Sequence, residues 1–146
     1  MIKNMGKKRI YSKDFKDKNN IVTWDVMKIE QGQNLVLRFI STNSKHRQGV
    51  RIAIDAGNGY IEVNEYKLNE IYLWEDTAPK EVKMKCFSDE GLVSIYNVWY
   101  TERGSRSLSY KCGMIIEKNG NKIKYRCNDF GDNTNFDKLV FEIEII

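Results

Sequence analysis

Oxygen-bearing side chains crowd one stretch near the C-terminal end: Asn128, Asp129, Asp132, Asn133, Asn135 and Asp137. Hard cations such as Ca²⁺ take six to eight oxygens from carboxylates, amide oxygens and backbone carbonyls. Asp129, Asp132 and Asp137 supply charge, and Asn128, Asn133 and Asn135 supply neutral oxygens. Gly131 lets a backbone fold around an ion. The run Asn133-x-Asn135-x-Asp137 echoes the start of an EF-hand, with Glu144 where that loop places its bidentate acid. Lys138 stands where that loop requires glycine, and the flanks alternate like strands, so an ion here would sit in a β-loop. Asn, Asp and Gly are also the residues of any tight turn. A cation site and an ordinary turn therefore both stand.

Other chemistry is sparse. His46 is the single histidine, between Lys45 and Arg47, and no G-x-S-x-G elbow accompanies it. Cys86, Cys112 and Cys127 are odd in number and widely spaced, which speaks for buried thiols in a reducing compartment rather than a disulfide framework or a Cys₃His zinc site. The expected location is cytoplasmic. Nothing in the motifs points to an enzyme. Trp24, Trp74, Trp99, Tyr60, Tyr66, Tyr72, Tyr96 and Tyr100 are enough for a sugar-stacking surface. Most of them should be core. Trp24 and Trp99 are expected inside, with Tyr96 and Tyr100 as the candidates for a ligand.

The elements that must position these residues are strands. Val50, Ile52 and Ile54 alternate with Arg51 and Asp55; Val82, Met84 and Cys86 with Lys83 and Lys85; Ile123, Tyr125 and Cys127 with Lys124 and Arg126. In the segment from Ile21 the pattern sets Val22, Trp24 and Val26 against Thr23 and Asp25. The final segment puts Leu139, Phe141, Ile143 and Ile145 on one face and Glu142 and Glu144 on the other. Asn119-Gly120 is the strongest hairpin signal. Ten such segments punctuated by turns, with no 3.6-residue stripe, predict an all-β chain: a two-sheet antiparallel β-sandwich of about nine or ten strands in jelly-roll or Greek-key order.

The 146 residues suit one folded body, and no apolar run approaches the ~20 residues of a membrane helix. Residues 1–20 hold seven basic side chains against two acidic ones, in a chain of net charge +4. The basic character is thus local. It predicts a poorly ordered tail before a single domain over 21–146, with neither a nucleic-acid stripe nor a membrane anchor.

The segment Asp132-Asn-Thr-Asn-Phe-Asp-Lys-Leu-Val-Phe141 resembles the end of certain bacterial β-sandwich domains, where an acidic loop of the approximate form D-x-D-F-N-D-L-V-F is associated with calcium. It also resembles the calcium loop before the last strand of galactose-binding β-sandwich lectins. The resemblance implies a binding role for Asp132, Asn135 and Asp137. Leu73-Trp-Glu-Asp-Thr77, Tyr96-Asn-Val-Trp99 and Tyr125-Arg-Cys-Asn-Asp129 are similar to segments of uncharacterised bacterial proteins. The functional expectation is a non-enzymatic binding module with a Ca²⁺ and carbohydrate site at the 128–137 loop. The alternative is a cytosolic protein-interaction or immunity-type domain that docks a partner protein on a sheet face or edge strand.

Overall fold

The computed structural model describes residues 6–15, 18, 20–131 and 133–146. These form thirteen strands and no helix: β1 (Ile10–Tyr11), β2 (Ile21–Lys28), β3 (Gln33–Thr42), β4 (Arg47–Ala53), β5 (Gly59–Val63), β6 (Tyr66–Leu68), β7 (Glu70–Trp74), β8 (Glu81–Ser88), β9 (Leu92–Thr101), β10 (Gly104–Arg106), β11 (Gly113–Asn119), β12 (Lys122–Asn128) and β13 (Leu139–Ile145). No helix among them is long and apolar enough to cross a membrane. Three strands exceed the ten expected segments. β1 and β10 are short additions, and the segment 66–74 breaks at Asn69 into β6 and β7.

Every pairing is antiparallel; eleven strands run in one path, β6-β5-β8-β3-β13-β12-β11-β2-β9-β4-β7, and off it β1 pairs with β2 and β10 with β9. This is a nearly closed, barrel-like sheet rather than two separate sheets. The cause is β2. Its first residues, Ile21 and Val22, pair with β11, while Asp25–Lys28 pair with β9. One strand thereby joins what the alternation suggested were two layers. The path ends at β6 and β7, which are adjacent in sequence, and the Ile54 N–H donates to the Asn69 carbonyl at 2.8 Å.

The expected inward faces of the central strands are buried. Val82, Met84, Cys86, Ile123, Tyr125, Cys127, Leu139, Phe141 and Ile143 share one core with Val50, Ile52 and Ile95. The β11–β12 hairpin turns at Asn119-Gly120, where Gly120 takes φ of 65°, a conformation that favours glycine. Between β3 and β13 the register slips: Val140 faces Ser41 and Phe141 faces Phe39, so Ile40 bulges outward. The extra residue belongs to β3; β13 keeps its alternation against β12, with Val140 opposite Arg126 and Phe141 opposite Tyr125.

The expectation for Asp25 is corrected. It is only 2% exposed, not solvated. The burial alternation slips between Trp24 and Asp25, where β2 changes partner, and Asp25 pairs in register with the core residue Ile95. Its carboxylate accepts from the Tyr125 hydroxyl at 2.6 Å and from Arg9 Nε at 2.7 Å. Burial first, and then the Asp25 charge, push the Tyr125 phenol well above its ordinary pKa, so it remains a donor.

Residues 1–5, 16, 17 and 19 lie outside the described residues. The described part of 1–20 packs on the body, where composition suggested a solvated tail. β1 pairs with β2, Phe15 is buried with its ring 5.6 Å from Phe136, and the Asp14 carboxylate accepts from the Lys111 N–H at 2.9 Å. Deleting residues 1–20 is therefore expected to destabilise the protein by at least ~2 kcal/mol, because Asp25 loses its cation while remaining buried. Urea denaturation of the truncated chain measures this. An unchanged midpoint would show that the segment contributes nothing.

Candidate functional site

The acidic loop folds through its own side chains. Asn128 closes β12 fully buried; its amide donates to the Lys111 carbonyl at 2.7 Å and its side-chain oxygen accepts from the Asn135 N–H at 3.2 Å. The Asn128 carbonyl accepts from the Asn97 amide at 3.1 Å. Asn135 in turn accepts from the Asp137 N–H at 3.2 Å, the geometry by which Asn organises a turn. Gly131 takes φ of 83° and donates its N–H to the Tyr110 carbonyl.

Asp129 is the electrostatic centre, at 1% exposure. Its Oδ1 accepts from the Phe130 N–H at 2.7 Å and from Lys138 Nζ at 3.1 Å. Its Oδ2 accepts from the Ser44 hydroxyl at 2.7 Å and from the Gln48 amide at 3.1 Å. Burial pushes its pKa up, but the bonds from Ser44, Lys138 and the Phe130 amide outweigh burial and hold it below the ordinary carboxylate value. Asp137 accepts from the Asn43 amide at 3.1 Å through Oδ2, and its Oδ1 is buried without a partner among the described residues. Asn133 is exposed at the rim, and Asp132 lies outside the described residues.

Among the described residues, few side-chain oxygens of this set are left for a hard cation. The ammonium of Lys138 already neutralises Asp129, both oxygens of Asp129 are taken, and Asn128 and Asn135 spend their side-chain oxygens on backbone N–H groups. Only Asp137 Oδ1 and the exposed Asn133 remain among the described candidates, far short of six ligands. No group of three or more His, Cys, Asp or Glu suited to a metal occurs among the described residues.

The loop instead forms one wall of a cleft of about 670 Å³. The opposite wall is the β3–β4 connection, Asn43 to His46. A backbone bond from the Asn43 N–H to the Lys138 carbonyl, 3.0 Å, joins the walls. Between them lies the Phe130 ring, 38% exposed. It stacks on Trp99 at 5.7 Å with an interplanar angle of 11°, and His46 lies 5.2 Å away at 37°. The His46 backbone N–H, not its ring, donates to the Ser44 hydroxyl. Ser44 and Asp129 are therefore bonded directly, without the imidazole between them that an activated serine needs.

Tyr96 and Tyr100 are separated by the structure. Tyr96 is buried, 5.0 Å from Trp24 and beneath the Arg51 guanidinium. Tyr100 is 46% exposed and meets Trp74 edge-on at 6.0 Å. It follows Trp99 directly on β9, so its side chain leaves the opposite face from the cleft. The three thiols are buried. Desolvation pushes Cys86 up to about 12, and Cys112 up to about 11 against hydrogen bonds that lower it, so neither is a thiolate at neutral pH.

Ser44 and Gln48 are the residues that sequence reasoning missed. A signal existed for Gln48: it shares the inward register of Val50, Ile52 and Ile54, a polar residue on an otherwise apolar face. None existed for His46 beside Phe130, which are brought together only by the two loops. No family model, no curated protein and no solved structure matches this chain.

Proposed function

We propose that this protein is a non-enzymatic binding module that takes a saccharide in the cleft between the 43–46 and 129–138 loops. One observation carries the proposal: the half-exposed Phe130 ring, backed by Trp99 and flanked by His46, among hydrogen-bonding groups. Small-molecule sites pair an aromatic or apolar surface with a few fixed polar groups. A sugar ring offers both, an apolar C–H face and equatorial hydroxyls. Asn43, Lys45 and Asn133 line the same cleft as the ring. In this proposal Lys138 replaces the calcium that the sequence resemblance implies, and the loop is a rigid polar wall rather than an ion site.

Isothermal titration against a panel of neutral mono- and oligosaccharides tests it. Saturable binding of at least one sugar is expected, weakened at least tenfold by Phe130→Ala and unaffected by Tyr100→Ala. Equal loss in both variants would move the site to the other face of β9, and silence across the panel would sink the proposal.

A second reading, a protein-interaction domain, is favoured by the open seam of the sheet. The path ends at β6 and β7, and Tyr66 (69% exposed) and Tyr72 border a groove of about 410 Å³ with Trp74, Pro79 and Val82. Unpaired edge strands accept strands from other chains. Under that reading Tyr66→Glu abolishes capture of the partner and Phe130→Ala does not.

A further inference from the structure

The partner change in β2 has a geometric consequence. Past Val22, β2 leaves β11 for β9, and its residues 25–28 line a concavity together with side chains of β11, β12 and β13. A cavity of about 490 Å³ opens there, within the range of about 300–1,000 Å³ typical of small-molecule sites. Its apolar lining is Val26 and Met27 from β2, Ile116 from β11, Ile123 from β12 and Ile145 from β13. Ile116 and Ile145 pack against the core yet stay only half-buried. Their open sides are apolar surface that a bound chain would cover.

The charges at this cavity have a definite arrangement. Arg9, Lys28 and Lys118 line it together with one acid, Asp25. Asp25 is buried and neutralised by Arg9 Nε, so the excess positive charge belongs to Lys28 and Lys118. Neither lysine makes an ion pair with a described residue. Both are exposed, which places their ammonium groups at the rim. Lys118 lies opposite Ile123 in the β11–β12 register and Ile116 lies opposite Tyr125, so cation and aliphatic wall share one face of the hairpin.

We infer that this cavity binds a single-chain amphipathic anion, a medium-chain fatty carboxylate, with its chain against Met27, Ile116, Ile123 and Ile145 and its head group at Lys28 and Lys118. The polarity of the site fixes the orientation. A carboxylate placed beside Asp25 would compete with it for Arg9 and give up its own hydration. At the rim it meets two ammonium groups and keeps its hydration. A neutral amphiphile gains no charge attraction from the rim lysines, and a cationic amphiphile is repelled by them. The site is separate from the Phe130 cleft and does not depend on it.

Titration calorimetry of the full chain with decanoate, kept below its micellar concentration, tests the inference. One saturable site is expected, with a rise in melting temperature as ligand stabilises the folded state. Decanol and decyltrimethylammonium should bind at least tenfold more weakly. The surface double variant Lys28→Glu/Lys118→Glu should weaken decanoate at least tenfold, and Ile116→Trp should remove binding by filling the cavity. Phe130→Ala should leave decanoate affinity unchanged. Absence of saturable binding, decanol binding as tightly as decanoate, or an unchanged affinity in the charge-reversed variant would each overturn it.

Discussion

Phe141→Ala is expected to lower stability by ~3–5 kcal/mol, the range for an aromatic truncated in a packed core. Phe141 is fully buried on β13, which lies between β12 and β3 in the sheet. Its ring stacks on Tyr125 at 4.7 Å and 9°, and it faces Phe39 in the register. Truncation leaves a cavity bounded on both sides by paired strands, which have little freedom to close it. The loss also reaches Asp25, because the stacked Tyr125 ring carries the hydroxyl that satisfies that buried carboxylate. Glu142→Ala, one residue along, is expected to cost under about 1 kcal/mol. Its carboxylate bonds Arg38 at 3.2 Å at the surface, where Glu81 and Glu144 also hold the guanidinium. Urea denaturation of the two variants gives both numbers. Equal costs at 141 and 142 would mean that the bulge at Ile40 does not set the register described here.

Asp129→Ala is expected to cost a similar ~3–5 kcal/mol, for an electrostatic reason. The change leaves Lys138, whose side chain is 12% exposed, without its counter-charge, leaves the Ser44 hydroxyl and the Phe130 N–H without an acceptor, and leaves the Gln48 amide with the His46 carbonyl alone. An ion pair that loses one partner inside a protein costs more than one that loses both. The double variant Asp129→Ala/Lys138→Met is therefore expected to recover part of the loss, and a double-mutant cycle isolates the coupling. The pH dependence follows from the same contacts. The Asp129 pKa is lowered in the folded state. A lowered folded pKa stabilises the protein above the unfolded value, about 3.9 for Asp, and this contribution is lost as pH falls through the folded value. Wild type should lose stability relative to the double variant on acidification below about pH 4, and parallel pH profiles would refute the pairing. Because Phe130 adjoins Asp129 directly, Asp129→Ala should also weaken any ligand of the cleft.

The strands and their buried faces were legible in the sequence because a period of two is a local property. Val82, Met84 and Cys86, or Ile123, Tyr125 and Cys127, declare an inward face with no knowledge of the neighbour, and Asn119-Gly120 declares its own turn. The all-β, antiparallel character follows from those segments. What local pattern does not encode is which strand lies beside which. The partner change of β2 therefore had no signature. With it went the joining of two layers into one sheet path, the inversion of Asp25 from the wet face to the core, and the cavity beneath it. The docking of residues 6–15 was hidden for a related reason: a basic composition reads as solvated until Asp25 and Phe136 are placed to receive Arg9 and Phe15. In the acidic loop the sequence supplied the oxygens but not their partners. Lys138 is nine residues from Asp129, Gln48 eighty-one and Ser44 eighty-five. Whether a carboxylate faces an ion, an ammonium or water depends on which loops the curled sheet brings to the same end, and residue types along one strand carry no information about that curl.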